Sequence, residues 1–258
     1  MNATVGCLLR LDVYAPTDLV LSVATAVTPR TERLLVHLDG APVPVREVLS
    51  DGSRLHLARL PVGPVHVSYD AELTIAPGAR ECTELDQLVA LRPSRYCPSD
   101  QLAALAIREL GPADFTTVER AVAWVRERLV YDPSGSRPVD SAVDTLLTGK
   151  GVCRDYAHLL ITVLRGLDVP ARFVSAYAPG LFPMDFHAVV EVAVDGVWQV
   201  LDATGMAPRP SLVRIAHGRD AADTAFMTLS GGTAYLTSTQ VWAWTDGDLP
   251  LDAPTALA

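Results

Sequence analysis

The spacing of apolar residues changes part-way along this chain of 258 residues, and the change divides it into two parts. Residues 1 to about 78 show the apolar/polar alternation of strands buried on one face, most clearly over 65–73. Beyond residue 100, apolar residues recur every three or four positions along one helical stripe: Val118, Ala121, Val122, Val125 and Leu129. The sequence therefore predicts an α+β protein, with strands first and helices packed on a sheet afterwards.

The connector between the two parts, residues 79–100, closes with a stretch that contains two prolines and two serines, residues 92–100. Such a segment opposes both helix and strand, so we place the domain boundary here. We predict a small β-sandwich over residues 1–90. A second domain is predicted over 91–245, including the C-terminal strands, and a loose tail over 246–258.

The second part is predicted to contain three helices and then three strands. The first two helices begin at capping boxes, Thr116 with Glu119 and Ser141 with Asp144. The third runs over 153–164, and Gly166 ends it. The strands are predicted over residues 171–178, 187–194 and 197–203.

Composition and charge limit the classes of function. The formal net charge of −9, without clustered Lys or Arg, argues against a nucleic-acid partner. No apolar run reaches the roughly 20 residues that span a bilayer, and residues 1–14 lack the basic start of a signal peptide, so we expect a cytoplasmic protein without a membrane partner. Acidic residues are scattered, and we expect neither a metal nor another cofactor. The oligomeric state stays open.

The four cysteines are Cys7, Cys82, Cys97 and Cys153, and no CxxC pair occurs among them, so a zinc or thioredoxin-type site has no support. We expect four free thiols, three of them buried. Cys153 differs because it follows a glycine turn and begins a predicted helix, where unpaired amides and the helix dipole favour an anion. This position is expected to lower the thiol pKa and produce a nucleophile. A buried cysteine at a helix start is the alternative.

Asp195-Gly196, between two apolar strands, predicts a two-residue hairpin turn. The register that this turn dictates makes His187 and Asp202 diagonal neighbours on one face of the sheet. A one-residue bulge would place them on opposite faces. With Cys153, these residues have the types of a nucleophile, a base and a group that orients the base. Taken alone, the histidine could be a surface residue and the aspartate a turn residue.

Residues 151–160 (GVCRDYAHLL) and 166–177 (GLDVPARFVSAY) resemble the nucleophile segment of bacterial transglutaminase-like proteins. His187-Ala188 and residues 198–204 (WQVLDAT) resemble the histidine and aspartate motifs of that family, in the same order. The connector, the N-terminal strands and the segment GRDAAD (218–223) are similar to neighbouring parts of such proteins.

The resemblance implies a papain-like core, in which a helix bearing the nucleophile packs on an antiparallel sheet that carries the base and its orienter. It implies that Cys153, His187 and Asp202 are catalytic and that the reaction passes through a thioester acyl-enzyme. Tyr131 and Trp198 are candidates for lining the cleft, with packing as the alternative for both. His158 is interpreted as a structural histidine that faces away from the thiol.

Three functions remain open. The leading one is hydrolysis of a peptide or protein amide, as in a cysteine peptidase or amidase. The second is acyl transfer to an amine acceptor, as in a transglutaminase or an amide-forming enzyme. The third is a catalytically silent protein-binding module.

Overall fold

The computed structural model describes residues 1–50, 53–76, 78, 80–114 and 116–257. Its first part consists of strands: β1 (Asn2–Ala15), β2 (Thr17–Leu21), β3 (Thr31–Leu38), β4 (Ala41–Pro42), β5 (Arg46–Ser50), β6 (Ser53–Leu60) and β7 (Gly63–Thr74). The alternation predicted for residues 65–73 is confirmed in β7, where every second side chain is buried: Val65, Val67, Tyr69, Ala71 and Leu73.

Most of the helices lie in the middle of the chain: α1 (Glu84–Ala90), α2 (Ser99–Leu110), α3 (Thr117–Arg128), α4 (Ala142–Thr148) and α5 (Cys153–Gly166). Two short strands pair in parallel between them, β8 (Val130–Tyr131) and β9 (Lys150–Gly151), and Pro133–Gly135 forms a 3₁₀ turn. The three predicted helices are confirmed as α3, α4 and α5. The predicted capping box of Ser141 with Asp144 is also confirmed. Thr116 is the N-cap residue of α3, but its hydroxyl makes no capping hydrogen bond and donates to Asp114 instead.

Strands return in the last part of the chain: β10 (Ala171–Tyr177), β11 (His187–Val194), β12 (Val197–Leu201), β13 (Val213–Gly218), β14 (Met227–Ser230) and β15 (Thr233–Thr245), with a 3₁₀ turn at Arg209–Ser211. Three of these, β10 to β12, are the strands predicted from the sequence. None of the helices in the described ranges is long and apolar enough to cross a bilayer.

Two sheets form the N-terminal β-sandwich. Their strand orders are β15-β1-β7-β3-β4 and β14-β2-β6-β5, and all the pairs are antiparallel. Inward-facing side chains of both sheets form one apolar core, including Val5, Leu9, Leu21, Leu60 and Val67. Together with the mixed second part, this confirms the α+β fold class.

The predicted assignment of the C-terminal strands to the second domain is wrong. Strand β15 pairs with β1 from Ala3↔Thr245 to Ala15↔Thr233, and β14 pairs with β2. Residues 227–245 therefore complete the sandwich, not the domain predicted over 91–245. The alternating pattern of these strands gives their inner face but says nothing about a pairing partner more than 200 residues away.

The predicted loose tail over 246–258 is also wrong for the residues that the structure describes, which end at 257. The side chain of Asp246 accepts a hydrogen bond from Asn2 at 2.6 Å. Asp252 forms an ion pair with Arg209 at 2.9 Å. Leu257 is buried, and its carbonyl accepts from Arg214. The segment therefore runs back over both domains.

In the second domain, an antiparallel sheet of order β12-β11-β10-β13 packs one face against α5. Helices α2, α3 and α4 surround the other sides of α5, so most of this helix is buried. The opposite edge of the sheet joins the sandwich core through Tyr177 and Ile215, and the Tyr177 hydroxyl donates to the carbonyl of Val23 at 2.8 Å. This packing fixes the start of α5 relative to the sheet.

Candidate active site

The first turn of α5 is held by charged side chains around Cys153. The carboxylate of Asp155 accepts a hydrogen bond from the backbone amide of Val152 at 2.9 Å, which caps the helix start. Arg154 pairs with Asp155 at 2.9 Å and donates to the carbonyl of Arg137 at 2.6 Å. Cys153 itself is half-buried, whereas the other three cysteines are buried. These contacts therefore hold the first turn of α5, and with it the thiol of Cys153, in a fixed position.

The hairpin predicted at Asp195-Gly196 is present, and its register is confirmed. Both turn residues have left-handed φ angles, 50° and 76°, as a type I′ turn requires. Val194 pairs with Val197, and β11 continues in this register to Val190, opposite Leu201. His187 and Asp202 therefore meet, and the Nε2 atom of the imidazole lies 2.9 Å from Oδ2 of the carboxylate.

Two further groups fix the carboxylate of Asp202. Its Oδ1 atom accepts from the backbone amide of Thr204 at 2.8 Å and from the Thr204 hydroxyl at 2.6 Å, which leaves Oδ2 for His187. Arg126, on α3, donates to the carbonyls of Asp202 and Ala203. Thr204 has the spacing of an Asx turn and could have been found in the sequence. Arg126 could not, because 76 residues separate it from Asp202.

The imidazole of His187 also lies close to Cys153: both residues line the same cavity, and Cys153 contributes to the pKa of His187. Because Nε2 is bound to Asp202, Nδ1 is the ring nitrogen that remains for the thiol. Burial opposes the charged form most strongly, yet the hydrogen bonds to Asp202 and Cys153, and their charges, raise the pKa of His187 from 6.5 to about 10. At neutral pH this histidine is therefore an imidazolium.

The pKa of Asp202, the partner of His187, shifts in the opposite direction. Burial favours the neutral acid, but the hydrogen bond and charge of His187, followed by the two donors of Thr204, lower the pKa of Asp202 below 3.8. Both side chains are almost fully buried, with His187 2% and Asp202 5% exposed. The ion pair of His187 and Asp202 is therefore buried away from water, beside the thiol of Cys153.

The other three thiols are buried. Burial raises the pKa of Cys7 and of Cys97 to about 12, and burial also raises the pKa of Cys82. These three groups are therefore protonated at neutral pH, and they lack the reactivity of a thiolate.

Tyr131 lies at the start of α5, because β8 runs parallel to β9 and places Tyr131 opposite Gly151. The ring of Tyr131 packs on that of Tyr156, with centroids 6.1 Å apart. Burial first, and the charge of Cys153 second, raise the pKa of Tyr131 to about 12. The structure therefore places a neutral phenol beside the thiol.

Trp198 does not line the cleft, so this prediction from the sequence is wrong. The indole packs with Cys82 and Ala90, and the guanidinium of Arg172 lies 3.9 Å above its ring. Alternation puts Trp198 on the face of Asp202, but four residues of strand separate the two by about 13 Å. Alternation therefore predicts which face of the sheet carries Trp198, but not how far the indole lies from the site.

His158 is buried between two aromatic rings. Its ring centroid lies 5.1 Å from that of Tyr96 and 5.2 Å from that of Phe173, and its Nε2 accepts from the backbone amide of Ala221 at 3.2 Å. Burial, and then the charge of Arg154, lower the pKa of His158 to about 3, so the ring is neutral. These contacts agree with a structural histidine.

The GRDAAD segment, 218–223, connects to the same aromatic group. Asp220 is buried, and its carboxylate accepts from the backbone amides of Tyr96 at 2.8 Å and Ala222 at 2.9 Å. The next residue, Ala221, donates to His158. This segment therefore holds the loop after β13 against the connector, and that loop forms one wall beside Cys153.

A cavity of about 450 Å³ opens beside Cys153 and His187. Its walls are mostly apolar and come from both domains: Tyr96, Phe173, Phe186, Ile215, Phe226 and Met227. A concave, apolar space next to a few polar groups is the usual form of a site for a small molecule or a side chain. The geometry thus combines a nucleophile, an ion pair and an apolar cavity.

Comparison with known proteins agrees with this arrangement. Residues 103–203 match the transglutaminase-like superfamily. A solved structure from Cytophaga hutchinsonii, described as a candidate cysteine protease, is 30% identical, with a TM-score of 0.87 over 97% of this chain and 93% of that one. The chain belongs to the transglutaminase-like superfamily. Membership confirms the family resemblance and supports a cysteine-type enzyme.

Two more distant similarities complete the comparison. An uncharacterised protein of Mycobacterium leprae is 28% identical over 148 residues, which are 52% of this chain and 52% of that protein. The chain therefore spans about half the length of this curated relative. The periplasmic domain of TgpA from Pseudomonas aeruginosa is 20% identical, with a TM-score of 0.41 over 77% of this chain and 90% of that domain.

Proposed function

We propose that this transglutaminase-like protein hydrolyses amide bonds, with Cys153 as nucleophile, His187 as general acid and base, and Asp202 as the group that orients the imidazole. The observation that carries the proposal is the buried pair of His187 and Asp202, with Nε2 and Oδ2 2.9 Å apart, on the same cavity as Cys153. It is the arrangement that nucleophilic acyl transfer requires.

In the first half of the reaction, the Cys153 thiolate attacks the amide carbon, and the carbonyl electron pair moves to oxygen. The tetrahedral intermediate then collapses, the C–N bond breaks, and the leaving amine takes the proton from His187. The product of this half-reaction is a thioester. Because the pKa of His187 is raised to about 10, the proton is held up to the moment when the amine needs it.

In the second half, water attacks the thioester carbon while neutral His187 accepts a proton from it. The C–S bond breaks, the acid is released, and the thiolate–imidazolium pair is restored. Asp202 stays ionised throughout, because its lowered pKa keeps it a carboxylate, and it stabilises each imidazolium that forms.

The oxygen that becomes negative in each half needs hydrogen-bond donors. The backbone amide of Cys153 is one candidate donor. We propose that the substrate oxygen accepts from this amide and that Tyr131, neutral because of its raised pKa, donates the second hydrogen bond.

The cavity beside the thiol indicates the acyl side of the substrate. Phe173, Ile215 and Phe226 offer an apolar surface, and burial of a large apolar side chain there would contribute about 1.5–3 kcal/mol. We therefore propose an acyl donor that carries a bulky apolar side chain next to the scissile carbonyl, in a peptide or a small amide.

Acyl transfer to an amine is the second candidate, and one observation favours it. Asp185 lies two residues before His187, its side chain is exposed, and its charge contributes to the raised pKa of Tyr131. A carboxylate near the site could attract a cationic amine, which would attack the thioester after losing its proton.

A single assay separates these functions. Aminomethylcoumarin amides of Phe, Leu, Ala and Glu are offered with and without a labelled diamine, and the products are identified by mass spectrometry. We expect release of coumarin with the Phe and Leu substrates, and free acid as the product. Loss of turnover in Cys153→Ala, but not in the matched control Cys97→Ala, would support the assignment. Labelled amide as the main product would favour transfer, and activity in Cys153→Ala would refute the nucleophile.

A further inference from the structure

Aromatic rings border the cavity of the candidate active site from two parts of the molecule. Phe186 and Phe226 stack with centroids 5.0 Å apart, and both pack against the core of the sandwich. Tyr96 and Phe173 also line the cavity, and they hold the ring of His158 between them. Aromatic rings attract one another through offset and edge-to-face contacts, in addition to the apolar area that they bury. These walls therefore favour an aromatic side chain over an aliphatic one of the same size.

The charged groups on the walls of this cavity are balanced in pairs. Arg154 pairs with Asp155, and His187 pairs with Asp202, both at 2.9 Å. The exposed carboxylate of Asp185 is not among the groups that line the cavity. Because each charge on the walls already has a partner, the cavity does not require an ionic side chain from its substrate. The side chain that fits it is neutral.

Ser175 carries a polar group on these walls that is not satisfied. Its hydroxyl oxygen is buried and has no hydrogen-bond partner, and among the described residues no other side chain that lines the cavity has such an atom. The hydroxyl of Thr224, on the same walls, donates to the carbonyl of Asp220 at 3.5 Å. Buried hydroxyl groups are normally bonded. The free hydroxyl of Ser175 therefore indicates a partner that the occupant of the cavity supplies.

The position of Ser175 in the sheet lets its hydroxyl reach such an occupant. On β10, Ser175 lies opposite Ala188 of β11, the residue after His187, and opposite Ala216 of β13. Neither alanine offers a polar side chain. Ser175 as a whole is half-buried and lines the cavity. Rotation about its Cα–Cβ bond to another staggered rotamer would therefore bring the hydroxyl from its buried position to the cavity.

We propose that the acyl side of the substrate carries a phenol, as in a tyrosyl residue, with its ring between the aromatic walls and its hydroxyl on that of Ser175. This inference rests on the proposed amide hydrolysis at Cys153 and narrows its apolar acyl donor to one class. A phenol suits Ser175 because each hydroxyl can donate or accept. A Phe side chain would fill the same space but leave Ser175 without a partner. One hydrogen bond between neutral groups corresponds to about three- to tenfold in kcat/KM.

The first experiment offers aminomethylcoumarin amides of Tyr, Phe and cyclohexylalanine to the full chain. We expect kcat/KM to be about three- to tenfold higher for Tyr than for Phe. It should also be higher for Phe than for cyclohexylalanine, whose ring has a similar size but no π electrons. In Ser175→Ala, the ratio of Tyr to Phe should fall to about one. Ser22→Ala is the matched control and should keep the wild-type ratio, because Ser22 also has a buried hydroxyl without a partner among the described residues but does not line the cavity.

A second measurement does not depend on turnover. N-acetyl-tyrosinamide and N-acetyl-phenylalaninamide are compared by the concentration that halves the rate at which iodoacetamide modifies Cys153. We expect the tyrosine compound to protect at about three- to tenfold lower concentration in the wild type and in Ser22→Ala, and both compounds to protect equally in Ser175→Ala.

The outcomes separate this inference from the proposed hydrolysis. Equal protection by the two compounds in the wild type, no protection by either, or an unchanged difference in Ser175→Ala would each overturn the phenol site. Equal kcat/KM for Tyr and Phe in the wild type would overturn it as well, while the turnover itself would still support hydrolysis. Stronger protection by the tyrosine compound, lost in Ser175→Ala, without turnover of any amide would refute hydrolysis and still support the phenol site.

Discussion

Replacing Asp202 by asparagine tests the pair on which the proposed chemistry depends. Asn has nearly the same shape but no charge, and Asp202 is the strongest of the groups that raise the pKa of His187 from 6.5 to about 10. At pH 8, a pKa of about 10 leaves roughly 99% of the imidazole protonated. Without the carboxylate, burial still opposes the charged form and only Cys153 supports it, so the pKa of His187 and its protonated fraction at pH 8 should both fall.

The expected consequence is a pKa of His187 below that of the wild type, and each unit of decrease corresponds to about 1.4 kcal/mol of lost stabilisation of the imidazolium. Turnover should also fall, by about 10³–10⁴-fold, because the tautomer of the imidazole is no longer fixed. The pKa is measured from the ¹H–¹⁵N signals of the His187 ring across pH 5–11. Turnover is measured with the Phe coumarin amide.

A matched variant controls for the general effect of removing a buried carboxylate. Asp140 is similarly buried and forms its ion pair with Arg137, so Asp140→Asn should leave the titration of His187 unchanged. If His187 titrated near 10 in Asp202→Asn as in the wild type, the structure would misidentify the source of the shift. The role of Asp202 as orienting group would then be refuted.

Three further outcomes follow from the same geometry. Iodoacetamide at pH 7 should modify Cys153 alone in the folded protein, because pKa values of about 12 leave roughly 1 in 10⁵ of the Cys7 and Cys97 thiols ionised; peptide mapping that finds either of them labelled first contradicts this. The Tm difference between the wild type and His187→Gln should be largest below pH 6.5 and decline as the pH rises to about 10, since a raised pKa stabilises the folded state only while the group holds its proton; a difference that grows with pH contradicts it. Phe226→Ala should lower kcat/KM for the Phe substrate by about 10-fold or more and leave the Ala substrate nearly unchanged; an equal loss for both would exclude a specificity role.

The sequence predicted the parts of this molecule that are set by local chemistry. The Asp195-Gly196 turn fixes the hairpin register, and the register brings His187 to Asp202 without any knowledge of the rest of the fold. The helix that starts at Cys153 follows in the same way from its glycine turn and apolar pattern. Helix α1 was missed inside the connector, although Thr83 and Asp86 form a capping box there that could have been found.

The features that the sequence could not predict are those decided by distant pairing. The apolar/polar alternation of β15 predicts an ordinary strand, and only the folded chain shows that its partner is β1. Trp198 has the correct face for the site but lies beside Arg172. Arg126 supports the Asp202 loop from a helix 76 residues earlier, and nothing in its own surroundings indicates that contact. Periodicity reports which face of an element is buried, and it leaves open what covers that face.

The pairing of the chain ends gives the sandwich a direct connection to the site. Phe226 and Met227 line the cavity beside Cys153, and Met227 begins β14, which pairs with β2. The backbone amide of Ser22, just beyond β2, donates to the carbonyl of Phe226 at 2.9 Å. Each position of this wall is therefore set by the sandwich and not by the domain that carries the thiol. A separated second domain would keep Cys153, His187 and Asp202 but lose one side of the cavity, so the proposed preference for bulky apolar acyl donors depends on both domains.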